Sequence, residues 1–372
     1  MIDYIEIKGF KSIKELKLEL KPINILIGSN GAGKSNFVSF FKLINVIFNQ
    51  RLQKYILEEK ADNLLYFGRK MTENIFGKII FSRKGREIRT NNAYYFNLMQ
   101  NKEGGLFIDA EGSGFRVDRD DIKNNFIVVN DILESSIANS KFPRNTDYLA
   151  EYLSNIQVFH FHDTSSTSYL RRSCDINDNQ YFKQDGRNLP AFLYLIKVNH
   201  PKIFLRIEKT IQSVAPYIDK LILEPNRLNE KEIELRWVDR GDAESNFSAY
   251  QLSDGTLRFI ALTTLLMQPT PPSVIIIDEP ELGLHPFAIG KLAGMIQAAS
   301  NTTQIIVATQ SPSLISNFSP EDIVVIDKSE EENQTIFKRL SSEDLNVWLQ
   351  DFTLGDLWER NIINAAQPFT KK

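Results

Sequence analysis

The chain has 372 residues, 42% hydrophobic and 24% charged, an ordinary globular composition large enough for one elaborate domain or two modest ones. Its formal net charge of -3 excludes a global positive field that would advertise nucleic-acid binding, while leaving room for a local basic face. Cys174 is the only cysteine, which excludes an internal disulfide and any Cys-x-x-Cys zinc site and fits a reducing compartment.

The opening stretch, MIDYIEIKGFKSIKELKLEL, reads as alternating strand rather than as a signal peptide. No apolar run approaches the roughly 18 residues of a membrane span, so no membrane association is expected and the expected location is the cytoplasm. From Ile2 to Ile27 apolar residues largely alternate with polar ones, which predicts three short strands broken near Gly9 and Pro22. The same stretch carries Lys8, Lys11, Lys14, Lys17 and Lys21. A solvated strand face accounts for them more simply than a row facing DNA. Residues 34–49 place apolar side chains at three- and four-residue spacing, as a buried helix does. Strand patterning returns over 76–130 in IFGKIIFS, AYYFNLM, GLFIDA and NFIVVN.

Residues 131–188 are rich in Ser, Asn and Asp and read as an irregular surface segment or lobe. Residues 189–214 read as helical, and strands follow near 218–224 and 232–238. Beyond 250 the order is helix, the strand SVIIIDEP, helix 287–299, the strand QIIVATQ, a helix start at Pro312 and the strand DIVVID. Alternating strands and helices imply a parallel sheet covered by helices. A short helix and a frayed end are expected to close the chain. There is no internal repeat and no sustained heptad run.

Two motifs carry chemistry. GSNGAGKS, Gly28 to Ser35, matches G-x-x-x-x-G-K-[ST] in full, follows the apolar strand INILI and opens a helix. Backbone N–H groups of such a loop (Asn30, Gly31, Ala32, Gly33, with Lys34, Ser35 and Asn36) turn inward around phosphate oxygens. Lys34 would reach the β- and γ-phosphates of ATP, and Ser35 would ligate Mg²⁺. In VIIIDEPE, Asp278 stands at the C-terminal edge of a buried strand and would hold the same Mg²⁺. Glu279, the next residue, would orient or deprotonate the attacking water.

YQLSDGTLRF, residues 250–259, narrows this to a family. Ser253-Asp254-Gly255-Thr256 resembles the signature motif of ATP-binding-cassette ATPases in the S-D/E-G form of the RecF, SMC and OLD branch. By itself the segment is a helix N-terminus offering a hydroxyl and an unhindered N–H to an anion. The resemblance implies that Ser253, Asp254 and Gly255 face nucleotide held by a second copy, so that a homodimer encloses two ATP. ELGLHP resembles the segment of that family that crosses the dimer interface, with Glu281 and His285 as candidates; a lone His is more often structural. Where the family usually ends the next strand in histidine, within a phrase like ATHSP, this chain reads ATQSP. The resemblance thus makes Gln310 a sensor of the terminal phosphate, one that does not titrate near neutrality.

The resemblance covers 1–50 and 245–330 most clearly, and FHFHDTSSTSYLRR with DGRNLPAFL also looks like stand-alone bacterial members of the group. It implies a split ATPase core (1–90 and 245–340), an inserted α/β lobe (91–244) and a helical extension (341–372). His160, His162 and Asp163 suggest a metal site, although strand-end histidines more often pack or cap. Arg171 and Arg172 read as a solvated pair in a polar loop rather than as phosphate ligands. The residues after Gln310 show no new acidic metal cluster, so a nuclease of its own is not expected. The family analogy implies a slow ATPase gating a nucleic acid or a separately encoded nuclease or toxin, in phage defence or DNA repair. An ATP-bound scaffold with little turnover and a transporter's nucleotide-binding subunit are the alternatives.

Overall fold

The computed structural model describes residues 1–81, 92–102, 104–115, 126–137, 145–329 and 333–364. They fall into two compact units: 1–157 with 319–372, and 158–318.

The first unit is built on an antiparallel sheet in the order Ile13–Glu19, Ile2–Phe10, Asn74–Phe81, Asn92–Gln100, Leu106–Phe115, Phe126–Ile132. The alternation of the opening strands has its expected result: Ile5, Ile7, Leu16 and Leu18 are buried. The lysines between them are neutralised on the sheet surface, with Lys8 against Glu6 and Glu15 at 3.2 Å each and Lys17 near Glu15 at 3.9 Å.

The helix Lys34–Phe48 buries Phe37, Phe40 and Phe41. Phe40 meets Phe10 edge-on at 5.5 Å and stacks near Phe96 at 5.9 Å, which joins the helix to two strands of this sheet. In the same unit the wholly buried strand Ile23–Ile27 runs parallel to Ile323–Ser329, which pairs antiparallel with Gln334–Arg339.

In the second unit the strand Val274–Asp278 runs parallel to Gln304–Thr309. The helices Pro201–Val214, Asp254–Met267 and Pro286–Ala299 pack in succession, and the last also packs on Gln304–Thr309. Two small antiparallel sheets complete the unit. One joins Ile218–Ile222, Arg236–Asp239 and Asp242–Ser248; the other joins Pro225–Asn226, Asn229–Ile233 and Cys174–Asp175. No helix among the described residues is long and apolar enough to cross a membrane.

The mixed α/β architecture, antiparallel at the N-terminus with parallel pairs and covering helices, is the one expected. Three details differ. The helical stretch 189–214 is two helices, Leu189–Asn199 and Pro201–Val214, because Pro201 has no N–H with which to continue the first. The polar stretch after 131 contains the helix Asn145–Ser154 and the strand Ile156–Phe159. Asp242–Ser248 and Gln334–Arg339 are strands with too few apolar positions to show a period. The short helix expected near the C-terminus is Leu354–Glu359, while the expected frayed end lies outside the described residues.

Phe40 holds the P-loop helix to the antiparallel sheet, so Phe40→Ala should lower the unfolding free energy by about 3–5 kcal/mol. Urea titration followed by circular dichroism measures it.

Candidate functional site

In the first unit the chain leaves Ile27 and turns through 28–33 into the helix Lys34–Phe48. Gly33 caps that helix at φ +118°, where a Cβ would lie 2.5 Å from the Thr335 hydroxyl; no L side chain fits. The helix has no side-chain cap and no acidic residue in its first turn, so its positive end is open to an anion.

Asn30 and Gly31 are exposed on the loop, Ala32 is buried beneath it, and Ser35 is exposed at the helix start. The Lys34 amine is buried and folds back to donate to the carbonyls of Gly28 (2.6 Å) and Ser29 (3.0 Å). Asn36 donates to the Ser12 hydroxyl at 2.7 Å. The Thr335 hydroxyl lies within hydrogen-bond reach of both Ser12 Oγ (2.7 Å) and the Ala32 carbonyl (3.0 Å).

Ser12 and Thr335 therefore brace the loop from two distant parts of the sequence. Nothing in the spacing of either residue announces it. Beside Asn36 opens a cavity of about 880 Å³, lined among others by Lys11, Phe67, Arg69 and Lys328. This lies within the range of small-ligand sites.

In the second unit Asp278 ends its strand, paired in register with Ala308. Glu279 donates its N–H to the Ala308 carbonyl at 2.7 Å and sits at φ +41°, a left-handed conformation that a glutamate seldom adopts. Its carboxylate accepts from the Gln310 amide, Nε2 to Oε1, at 2.8 Å. Two residues named from separate motifs thus meet.

Beneath them, Glu281 accepts from the Thr309 hydroxyl at 2.5 Å. Its second oxygen is buried and has no hydrogen-bond partner among the described residues. Burial pushes the Glu281 carboxyl above the usual carboxylate range, and the nearby charge of Glu279 acts the same way. Thr309 also accepts from the Ser311 N–H at 2.9 Å, so Glu281 and Thr309 together fix the turn carrying Gln310.

Ser253 caps the helix Asp254–Met267, accepting from the Thr256 N–H at 3.2 Å. Gly255 lies so close to Gly283 that a Cβ would stand 2.4 Å from its carbonyl oxygen; the signature and the ELGLHP turn touch backbone to backbone. Asp254 pairs with Arg171 at 2.6 Å.

The expectation of Arg171 as half of a solvated pair is therefore overturned. Its guanidinium is buried by backbone that folds over it from residues 249–254, which a local polarity pattern does not register. His285 is a helix cap, its Nδ1 accepting from the Phe287 N–H at 3.2 Å. Among the described residues no three His, Cys, Asp or Glu side chains form a metal-holding group. The His160 and His162 rings lie 6.1 Å apart.

A P-loop helix with an open N-terminus and a parallel strand ending in Asp-Glu define a nucleotide-binding class. The family described as "AAA domain, putative AbiEii toxin, Type IV TA system" matches residues 23–316, and the chain belongs to it. No curated protein matches the sequence.

Two solved structures are similar in fold. One is an SMC head bound to the C-terminal winged-helix domain of ScpA. It is 16% identical, with 93% of this chain and 99% of that one covered and a TM-score of 0.59. The other is an SMC head with an extended coiled coil bound to the C-terminal domain of ScpA, derived from Pyrococcus furiosus. It is 14% identical, with 94% and 98% covered and a TM-score of 0.56. The architecture is that of the ABC-type ATPase head of SMC proteins.

The raised Glu281 carboxyl has a signed consequence. Between its unfolded and folded titration ranges the native state binds more protons, so its contribution is favourable at low pH and is lost as pH rises. Glu281→Gln should therefore gain stability relative to the parent as pH climbs from 4.5 to 8. Paired thermal melts across that range would show the opposite slope if Glu281 were stabilised as an anion.

Proposed function

We propose that this chain is an ATP-hydrolysing clamp that closes as a homodimer around two ATP and gates a partner. The observation that carries the reading is the strand tip at 278–279. There Asp278, which would hold Mg²⁺ in this reading, precedes Glu279, held at φ +41° with the Gln310 amide on its carboxylate. Backbone strain of this kind persists where surrounding structure over-determines it, which is common at catalytic positions.

In this reading Asn30 to Asn36 cradle the phosphates, and the cavity beside Asn36 has room for the rest of the nucleotide. The Ser35 hydroxyl and Asp278 carboxylate are hard oxygen donors suited to Mg²⁺, which neutralises charge building on the phosphates. Lys34 exchanges its loop carbonyls for phosphate oxygens. Glu279 accepts a proton from water as the water oxygen attacks the γ-phosphorus; the bond to the bridging oxygen breaks and ADP departs. Gln310, which donates to Glu279, turns its amide between that carboxylate and the γ-phosphate. Ser253 and Gly255 face the γ-phosphate bound by the other copy.

The partner is a separately encoded effector protein, nuclease or toxin, or a nucleic acid. A family description that names a toxin, and SMC heads solved with a bound ScpA domain, support coupling to a partner protein. Phage defence or DNA repair in the cytoplasm is the setting this reading favours. A second reading, a scaffold that holds ATP with little turnover, is favoured by the Gln310 amide sitting on the carboxylate that must activate water.

Glu279→Gln should cut kcat by about a hundredfold or more while keeping ATP affinity. It should also accumulate a dimer with ATP on size exclusion, and Ser253→Arg should abolish that dimer. A Glu279→Gln protein with parental phosphate release would remove Glu279 from its role. A parent that binds ATP but releases no phosphate would establish the scaffold.

A further inference from the structure

Arg171 has no place in the reaction just described, yet it is among the most completely engaged side chains of the second unit. Its Nε donates to the Thr164 carbonyl at 2.9 Å. One terminal nitrogen donates to the carbonyls of Ala249 (2.5 Å) and Leu252 (3.0 Å), and the other donates to Asp254 Oδ1 at 2.6 Å. Leu252 and Asp254 are the two neighbours of Ser253, so a single guanidinium grips both flanks of the signature hydroxyl.

Arg258, one turn along the helix, returns the connection. Its Nε donates to the Phe161 carbonyl at 2.8 Å and a terminal nitrogen to that of His162 at 3.0 Å. The segment 161–171 and the signature are laced together in both directions.

The charges explain the arrangement. An acidic residue in the first turn suits the helix dipole, but a bare carboxylate beside the anion site of the signature would repel a triphosphate. Pairing Asp254 with a cation removes that repulsion. Only an arginine supplies donors in three directions from one planar group while keeping its charge when buried.

We propose that Arg171 and Asp254 form a positioning pair for the signature. Asp254 acts on Arg171 rather than on nucleotide, and the pair sets where the Ser253 hydroxyl and the Gly255 N–H stand. The proposal rests on the signature facing nucleotide, as in the function proposed above. It separates two acidic roles that the S-D-G pattern alone leaves merged.

The test compares Asp254→Asn, Asp254→Ala, Arg171→Lys and the double variant Arg171→Lys/Asp254→Ala. Asp254 is mostly exposed, so its two variants keep the fold even where an Arg171 change loosens it. Without nucleotide, amide exchange over residues 253–257 should quicken by about tenfold in Asp254→Asn and Arg171→Lys. With ATP, kcat should fall by about ten- to a hundredfold at unchanged ATP affinity. The double variant should lose no more than the worse single one, as members of one unit do.

Unchanged exchange in both single variants would overturn the pair. Lost ATP affinity with kcat retained would instead assign Asp254 to the nucleotide, and additive losses would separate the two residues. A parent that binds no ATP would sink the ATPase reading, while the exchange measurement would still decide for or against the pair.

Discussion

The parallel register between Val274–Asp278 and Gln304–Thr309 is the constraint on which the second unit's chemistry depends. Asp278 stands opposite Ala308, and the Glu279 N–H extends the ladder to the same residue. Both strands end within one residue of each other, so the side chains just past them, Glu279 and Gln310, are delivered to a common point. A slip by one residue would turn every strand side chain to the opposite face. That register is secured by nearly continuous apolar runs, VIII against IIVA, whose side chains are all buried. An unremarkable hydrophobic core thus fixes the geometry of two polar residues that contribute nothing to it.

What happens beyond the strand ends is a matter of polar accounting. Glu279 at φ +41° is held by its backbone bond and by the Gln310 amide. The turn bearing Gln310 is held in turn by Thr309 and Glu281. In sequence Glu281 is a candidate of the ELGLHP segment, two residues after Glu279. In the structure one oxygen is bonded to the Thr309 hydroxyl and the other is buried with no partner among the described residues. Burial raises this carboxyl above the usual carboxylate range, and the Glu279 charge acts in the same direction.

Legibility in the sequence followed the range of the interactions involved. The P-loop, the Asp-Glu strand tip and the opening hairpin were readable because each is specified by residues within one short stretch. The strands Asp242–Ser248 and Gln334–Arg339 were not, because backbone pairing makes them while their side chains stay largely polar. Ser12 and Thr335 brace the same loop from opposite ends of the chain. Arg171 was misread for the opposite reason. Its neighbours Ser165, Ser166, Thr167 and Arg172 are exposed, and the local polarity they create is real. Only the backbone of residues 249–254, folding over it, decides that this one arginine is inside.

Three groups that the proposed reaction would use are bonded within the protein. The Lys34 amine rests on two loop carbonyls, Gln310 on Glu279 and the Ser253 hydroxyl on its own helix. Lys34 and Gln310 already act as donors there and can turn those donors to phosphate oxygens, while the Ser253 oxygen keeps the Thr256 N–H and has its own proton to donate. Little is gained in the number of bonds; the Gln310 amide keeps a charged acceptor, and the Lys34 ammonium exchanges neutral carbonyls for charged oxygens. Charge-assisted bonds are roughly twice as strong as neutral ones. Preference for a triphosphate would then come from charge met at a prearranged set of donors. Asp254 fits the same logic only when neutralised, which is what the buried guanidinium of Arg171 accomplishes.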